Sequence, residues 1–140
     1  MQNPDDVMEF VDCTGRKKKF RFEMMKSGPI VRLEAREIRG DREPGYYFRE
    51  IGMEDHIVEL RGRLNQKIME GLSKRHILPN RGRVGRWDML TNRLEGYVAY
   101  DEDTTEEVCL VIDGKKVFWE DFKDLVKMHE GFFFRMEFEG

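Results

Sequence analysis

The sequence predicts an α+β domain made mainly of antiparallel sheet, with one long amphipathic helix and one short helix. Three observations support this fold class: runs in which apolar and polar residues alternate, a long stretch with a helical apolar repeat, and strong tight-turn signals between neighbouring strands. Hairpins therefore dominate, and the two helices are expected to cover one face of the sheet.

Four strands are predicted in the N-terminal half. In the clearest of them, Phe20, Phe22 and Met24 share one face, while Lys19 and Arg21 lie on the other. A period of two with a single apolar face is typical of a half-buried strand. The predicted strands cover residues 7–12, 19–24, 31–36 and 46–51.

The long helix is predicted from about residue 54 to about residue 76. Its apolar residues recur at spacings of three and four; they are Ile57, Leu60, Leu64, Ile68 and Leu72. Gly62 and Gly71 weaken a helix by up to about 1 kcal/mol each relative to alanine, so we expect them to admit the close approach of another element. Pro79 stops the helix, and His76 is expected near its C-terminal end, where the helix dipole favours a cation.

The C-terminal half is predicted to combine short strands with the short helix. Residues 80–92 are predicted as a loop, a strand begins near Arg93, residues 101–107 form an acidic turn, and residues 108–112 form a buried strand. Asp113-Gly114 predicts a tight hairpin turn to a strand at 116–117. The short helix spans about 118–130 and ends at Gly131. Apolar residues alternate again over 132–138, which are predicted as a closing strand.

Length, charge and cysteine content bound the class of protein. The 140 residues fit a single domain, 1–140, and the loop at 78–92 is the one break that would divide it into sub-lobes 1–78 and 92–140. Since 28 acidic residues outnumber 25 basic ones, the chain lacks the basic excess typical of nucleic-acid binders. Cys13 and Cys109 form no CxxC pair, so we expect no disulfide framework and a cytoplasmic location. No apolar run reaches the length of about 18 residues that a membrane span needs, and we expect no membrane partner.

Two groups of segments carry a resemblance to a known family. The first group is Ile112-Asp113-Gly114-Lys115, Trp119-Glu120-Asp121-Phe122 and His129-Glu130-Gly131-Phe132; the second is Glu34-Ala35-Arg36-Glu37 and Gly45-Tyr46-Tyr47-Phe48, followed by the long helix. Together they resemble a family of small bacterial proteins of unknown function, in which a strand-rich half and a long helix precede a C-terminal IDGK…WEEF…EGFF module. The resemblance implies no activity, so no catalytic residue is carried over. Phe118 stands where that family often has a serine as helix N-cap. We expect another group, such as the carboxylate of Asp121, to accept hydrogen bonds from the free backbone N–H groups at the start of the helix.

The acidic turn carries an enzyme-like pattern. An apolar strand is followed by Asp101-x-Asp103-x-Thr105, which is the pattern of haloacid-dehalogenase-type phosphotransferases. In those enzymes the first carboxylate is the nucleophile, the second is the general acid, and Mg²⁺ lies between them. They need a parallel sheet, whereas here a second strand begins within a few residues. We therefore favour an acidic hairpin tip, and a Mg²⁺-dependent phosphatase at Asp101 and Asp103 is the least favoured alternative.

Basic residues cluster between residues 74 and 87. The residues that would bind an anion or a nucleic acid are Lys74, Arg75, Arg81, Arg83, Arg86 and Trp87. Guanidinium groups clamp phosphates, and an indole ring stacks on a base. The other interpretation is a solvated loop that balances acidic neighbours such as Asp88. Because the chain is acidic overall, a nucleic-acid partner is not favoured.

Our leading hypothesis is a non-catalytic protein–protein interaction or regulatory module, because no group of residues joins reactive chemistry to a fitting fold. We predict no catalytic residue, no cofactor and no metal site, and the three histidines lack metal-ligand spacing. Phe133 lies on the polar face of the last predicted strand, together with Arg135. Terminal strands with an exposed aromatic residue often pair with a partner, so Phe133 and Arg135 are the predicted interface with an unknown protein or in a homodimer.

Overall fold

The computed structural model describes residues 6–82 and 86–140 and has the predicted α+β architecture. Its paired strands are antiparallel, as the hairpin signals predicted. The strands are β1 (Val7–Val11), β2 (Lys17–Ser27), β3 (Ile30–Glu37), β4 (Tyr47–Met53), β5 (Ile77–Pro79), β6 (Trp87–Met89), β7 (Gly96–Tyr100), β8 (Val108–Ile112) and β9 (Lys115–Val117). The helices are α1 (Ile57–Ser73) and α2 (Trp119–Lys127), and a 3-10 turn at Glu54–His56 leads into α1.

The N-terminal half is a four-stranded sheet with a helix on one face. β1 to β4 pair in chain order, and α1 packs on the apolar face that the alternation of β2 and β3 creates. The core between sheet and helix consists of Phe10, Phe20, Phe22, Val31, Leu33, Ala35, Leu60, Leu64, Ile68 and Leu72. The periods of two and 3.6 in the sequence therefore identify most of this core.

α1 ends earlier than its apolar repeat predicted. The helix stops at Ser73 rather than near residue 76, because Lys74 has an extended backbone with φ −102° and ψ 145°. His76 therefore lies beyond the helix, and the expected interaction of His76 with the dipole at the helix end is wrong. Its side chain instead contacts carboxylates of the C-terminal half.

The outer edge of β4 is partly covered by α1. Glu37 N–H donates to Tyr46 O, so alternate residues of β4 bond to β3 and the carbonyl of Arg49 points away from β3. Lys67 of α1 donates to that carbonyl at 2.9 Å, and its Nζ lies 2.8 Å from a carboxylate oxygen of Glu50. The ammonium group thus satisfies a backbone carbonyl on the outer edge of the sheet, which would otherwise be free to bind another strand.

The C-terminal half contains two smaller sheets and a second core. β5 pairs with β6, and β7, β8 and β9 form a three-stranded sheet in that order. Asp113 and Gly114 have φ values of 55° and 69°, which are the left-handed values of the predicted tight hairpin turn. β6 lies inside the segment predicted as a loop; its pairing with β5 covers only three residues, too few to show a period in the sequence. The second core consists of Ile77, Ile112 and Val117, with Trp87, Leu94, Leu110 and Phe122 packed against it.

α2 begins without a side-chain cap. Phe118 is its N-cap and no side chain accepts the free N–H groups there, so the expected capping by Asp121 is wrong. The carboxylate of Asp121 instead pairs with Arg86 at 3.5 Å. Beyond the helix, Gly131 has φ 87°, the left-handed value expected of a C-terminal glycine.

The two halves of the chain contact each other through side chains of both sheets. The Tyr97 hydroxyl donates to Gly45 O at 2.7 Å, and the Tyr97 ring lies 5.4 Å from the ring of Tyr47. Arg39 donates from Nη1 to Gly114 O at 3.2 Å. The three-stranded sheet is thereby held against the loop that precedes β4.

The C-terminal arm, residues 132–140, is not a strand, and the prediction of a closing strand at 132–138 is wrong. Phe132 is tied to the turn after α2, since its N–H donates to His129 O at 2.9 Å and its ring lies 5.2 Å from that of His129. From Phe133 onward the side chains lie in solvent. Alternation gives a segment the propensity for a strand, but a strand also needs a neighbouring edge, and the sheets described for this chain do not include the arm.

Candidate functional site

The basic segment predicted to bind anions is largely engaged within the chain. Lys74 Nζ lies 3.5 Å from Glu95, and Arg86 pairs with Asp121 and Asp124. These ion pairs neutralise two of the cations that would face a phosphate.

The remaining members of that segment differ in environment. Arg75 Nε donates to Ile77 O at 3.3 Å, Arg81 is exposed, and Trp87 is half-buried against the second core. Arg83 lies outside the described residues. The structure therefore gathers no row of solvent-facing guanidinium groups among the described members of the segment, and its anion-binding role stays a prediction.

Asp101, at the end of β7, is a buried carboxylate in the acidic turn. Only 4% of the residue is exposed, its Oδ1 accepts from Lys116 Nζ at 3.0 Å, and the N–H of Asp103 donates to the same oxygen at 3.1 Å. The hydrogen bond from Lys116 holds the pKa of Asp101 below its usual value. Among the described residues, neither Asp101 Oδ2 nor the buried hydroxyl of Thr104 has a partner with hydrogen-bond geometry. Asp101 thus anchors the tip of the β7–β8 hairpin through Lys116 and the N–H of Asp103.

An open groove of about 330 Å³ lies beside this turn and the start of α2. We call it the acidic–aromatic groove; it is lined by Asp101, Thr104, Glu106, Val108, Phe118, Trp119, Glu120 and Asp121. Its two aromatic residues are each a little under half exposed. The ammonium of Lys116 lies 4.9 Å from the centroid of the Phe118 ring, so one cation already uses an aromatic face here. Carboxylates beside aromatic faces are suited to a cation with an apolar stem.

The apolar wall of the groove continues onto β7. Tyr100 pairs with Val108 in the strand register, which places it beside the groove. Tyr100 is 74% exposed, and Val98, two residues earlier on the same face, is 52% exposed. β7 is an outer strand of its sheet, so this apolar strip adjoins a sheet edge.

A cluster around His76 joins the two halves of the chain, and sequence reasoning missed it. Asp113 accepts from the backbone N–H of His76 at 2.7 Å and lies 2.7 Å from its Nδ1, while Nε2 lies 3.1 Å from Glu95. Burial raises the pKa of Glu95, but the hydrogen bond to His76 and the nearby charges of Lys74 and His76 outweigh it, so the net shift is downward. Both ring nitrogens face carboxylates and the side chain is only 9% exposed. The cluster therefore serves as a clip between segments rather than as a base that faces a substrate.

A second buried carboxylate lies on the sheet face away from α1. Glu34 is 4% exposed, accepts from the Tyr47 hydroxyl, and has Arg32 Nε at 3.6 Å and Arg36 Nη2 at 4.0 Å. Burial and the hydrogen bond to Glu34 raise the pKa of Tyr47. Arg36 also stacks over the Tyr47 ring at 4.3 Å. These contacts satisfy the carboxylate, so Glu34 stabilises the open face of the sheet.

The predicted interface residues lie in the C-terminal arm. Phe133 is fully exposed and Arg135 is exposed beside it. Phe132, Phe134, Met136 and Phe138 are also exposed, so both sides of the arm present large apolar groups. The arm and the acidic–aromatic groove both present aromatic side chains that are exposed to solvent.

Two further kinds of site were sought in the part of the chain that the structure describes. Across residues 6–82 and 86–140, no three side chains of His, Cys, Asp or Glu converge as the ligands of a metal ion. In the same residues neither helix combines the length and the apolar character that crossing a bilayer requires.

Two family models match the chain, one in each half. A model described as "Domain of unknown function (DUF7686)" matches residues 2–73, and a model described as "Domain of unknown function (DUF7713)" matches residues 77–139. The junction between the two matches coincides with the clip at His76. No curated protein and no solved structure matches the chain.

Proposed function

The chain belongs to the family described as domain of unknown function DUF7686, and we propose that it acts as a non-catalytic protein-interaction module whose binding element is the C-terminal arm. A family without an assigned activity supplies no reaction. The support for the proposal is therefore a property of the arm itself.

That property is the exposure of the arm's apolar side chains. The exposed fractions are 68% for Phe132, 104% for Phe133, 86% for Phe134, 61% for Met136 and 78% for Phe138. Complete burial of one such side chain contributes about 1.5–3 kcal/mol. A partner that covered most of them would offset the cost of association, which is at least about 4 kcal/mol.

The arm also has the pattern of a strand without a neighbour. Phe132, Phe134 and Met136 alternate with Phe133 and Arg135. A segment of this kind can add to the outer strand of another sheet, where main-chain hydrogen bonds give affinity and alternate side chains give selectivity. We take a second copy of the chain as the partner, so Phe133 and Arg135 become homodimer contacts.

A reducing compartment fits this proposal. Cys13 and Cys109 are both free thiols, and Cys13 is exposed. Exposed thiols persist where glutathione keeps them reduced, so the cytoplasm is the proposed location. The bacterial origin that the sequence resemblance implies stays a prediction.

Gel filtration with light scattering over a concentration series tests the proposal. In the double variant Phe133→Ser/Phe134→Ser, two buried aromatic contacts worth about 3–6 kcal/mol together are lost, so we expect the dimer dissociation constant to rise more than about 100-fold. The matched control is Val58→Ser, because Val58 is 79% exposed on α1 and should not alter the dissociation constant. A wild-type chain that stays monomeric at its highest soluble concentration would contradict the proposal.

A further inference from the structure

We infer that the arm of one copy adds as a fifth strand to the larger sheet of a second copy, along the outer edge of β1. The inference rests on the proposed function, because it identifies the surface to which the arm binds. Each copy then offers one arm and one open edge.

The outer edge of β1 presents a row of backbone groups that point away from the sheet. The N–H of Phe22 donates to Asp6 O at 3.0 Å, so the even-numbered residues of β1 bond to β2. The odd-numbered residues, whose N–H and C=O groups therefore point outward, are Val7, Glu9 and Val11. β1 is an end strand of its sheet, and such a row is a template for another strand.

The other edge strands of the described sheets suit the arm less well. On β4, Lys67 already donates to the outward carbonyl of Arg49. β7 leads into the acidic turn at 101–107, which would repel the acidic end of the arm at Glu137 and Glu139. β5, β6 and β9 are three residues long each, which is too short for the arm. β1 is therefore the edge that fits best.

The apolar residues of the arm match the face of the sheet that packs on α1. Met8 lies on this face, since it is paired with the buried Phe20, yet 38% of Met8 is exposed. Arg61 of α1 reaches Met8 Sδ at 3.4 Å and covers only part of it. The even-numbered residues of the arm are Phe132, Phe134, Met136 and Phe138. An added strand with these residues beside α1 would extend the core past β1.

The charged residues of the arm match the opposite face of the sheet. With its even-numbered residues beside α1, the arm places Arg135, Glu137 and Glu139 on the face away from the helix. On that face β1 carries Glu9. The neighbouring exposed residues of β2 on the same face are Lys17, Lys19 and Arg21. The arm thus brings an excess of carboxylates to a strand pair with an excess of cations.

An antiparallel arm with Arg135 opposite Glu9 satisfies both faces. The other directly opposed pairs are then Phe133–Val11, Phe134–Phe10, Met136–Met8 and Glu137–Val7. Three of these pairs are apolar, and Glu137 lies beside Arg21, the partner of Val7 on β2. Lys19 Nζ is 3.9 Å from Glu9 with side chains 62% and 47% exposed, so this loose pair leaves the carboxylate accessible to a guanidinium.

A second copy is the source of the arm. Within one copy the arm lies outside the described sheets and β1 remains an end strand, although both belong to the same chain. The N–H of Phe132 donates to His129 O at 2.9 Å, which ties the start of the arm to the turn after α2. Mutual exchange of two arms makes two identical contacts and gives a closed, two-fold dimer.

A proline substitution on β1 tests the assignment in the full-length chain. We expect Glu9→Pro to raise the dimer dissociation constant by at least about tenfold, because it removes an outward donor and leaves the bonds to β2 in place. The matched control is Glu9→Ala, which removes the same carboxylate and keeps the N–H, and its effect should stay below about threefold. Circular dichroism of both variants reports whether the fold is kept.

Cysteine cross-linking gives a second measurement that needs no proline. In a chain with Cys13→Ser, which removes the exposed thiol, the pair Met8→Cys/Met136→Cys should form a disulfide between copies on oxidation. The two positions form a non-hydrogen-bonded antiparallel pair, whose Cα atoms lie about 4.5 Å apart, within the range of a disulfide. The control is Met8→Cys/Glu137→Cys, whose side chains lie on opposite faces, and a non-reducing gel should show at least about fivefold less cross-linked dimer.

The outcomes separate the two proposals. If Glu9→Pro matches Glu9→Ala, or if the cysteine pair fails to link two copies, β1 is not the receiving edge. The arm remains the binding element as long as Phe133→Ser/Phe134→Ser still dissociates the dimer. If Glu9→Pro unfolds, the cross-link alone decides. A disulfide within a single chain would overturn the exchange between copies, and a monomeric wild-type chain would overturn both proposals.

Discussion

Asp113 links two segments that lie far apart in the sequence. It occupies a hairpin turn, yet its carboxylate accepts from the backbone N–H groups of His76 at 2.7 Å and Ile77 at 2.9 Å, and it also contacts the imidazole. Asp113 Oδ1 and Glu95 Oε2 lie 2.7 Å and 3.1 Å from the two ring nitrogens of His76, so both nitrogens have a hydrogen-bonding neighbour. One small side chain thereby fixes the start of β5 against the β8–β9 turn.

We predict that Asp113→Ala lowers the free energy of unfolding by about 2–4 kcal/mol, because two backbone donors lose their acceptor and each costs about 1–3 kcal/mol when buried. Alanine also fits poorly at a φ of 55°. Urea unfolding followed by circular dichroism measures the change. Asp55→Ala, at an exposed position of the 3-10 turn, is the control and should alter stability by less than about 0.5 kcal/mol. An equally small effect of Asp113→Ala would show that the clip contributes nothing.

The sequence predicted the Asp113-Gly114 turn but not the contacts of Asp113 with His76. Asp113-Gly114 was recognisable because only a few residue types accept left-handed angles in succession. Nothing local, however, indicated that the carboxylate would meet a histidine 37 positions earlier. The groove was equally hidden: in the sequence Asp101 belongs to an enzyme-like pattern, Phe118 to an N-cap position and Trp119 to a family resemblance, and only the fold places the three side chains together.

Among the secondary-structure elements, α1 contains two glycines, and only one of them allows close packing against another element. Both glycines were expected to allow the close approach of another element, but their surroundings in the structure differ. A Cβ on Gly71 would lie 2.5 Å from Cε1 of Phe48, so β4 approaches the helix at that residue. A Cβ on Gly62 would have nothing within 4 Å, so that glycine faces open space.

This difference predicts opposite signs for two matched substitutions. Gly62→Ala should raise the free energy of unfolding by about 0.5–1 kcal/mol, since alanine is the better helix former and meets no neighbour. Gly71→Ala should lower it by about 1–3 kcal/mol, since the ring of Phe48 must move in a packed core. Thermal and urea unfolding of the two variants provide the comparison, in which each serves as the control for the other. Stabilisation by both would show that Phe48 yields without cost.

The apolar repeat in the sequence correctly predicted strands and helices that pack against other elements. It wrongly predicted a strand in the C-terminal arm, which pairs with none of the described sheets. β2, β3 and α1 repeat their apolar residues over long enough stretches to be read directly. The C-terminal arm has the same alternation over Phe132, Phe134, Met136 and Phe138, but it remains outside the sheets. Pattern measures the propensity of a segment, whereas pairing depends on which edges the rest of the molecule leaves open.

The whole chain combines two family segments whose boundary falls at residues 74–76. Contacts that cross that boundary include Tyr97 with Gly45, Arg39 with Gly114 and Lys116 with Glu43, and His76 within the boundary binds Asp113. The crossing groups are hydrogen-bonded and mostly shielded from water, so separating the halves would expose them. We therefore propose that residues 1–140 behave as one domain.

We predict a single cooperative unfolding transition. Trp87 and Trp119, the two tryptophans, both lie in the C-terminal half, so tryptophan fluorescence follows that half. Far-UV circular dichroism is dominated by α1, whose 17 residues lie in the N-terminal half, against nine residues in α2. Coincident urea transitions by the two methods are expected for one cooperative unit. Two separated midpoints would instead support sub-lobes 1–78 and 92–140 that unfold independently.

The position of Lys67 affects how the protein associates at high concentration. Its ammonium donates to the outward carbonyl of Arg49 and pairs with the carboxylate of Glu50. A strand of another molecule that paired with β4 would have to displace this ammonium from both groups. Fibril-like growth, which needs sheets that lengthen without limit, is thereby opposed on that side of the larger sheet. Concentrating the protein should consequently favour small closed oligomers over filaments.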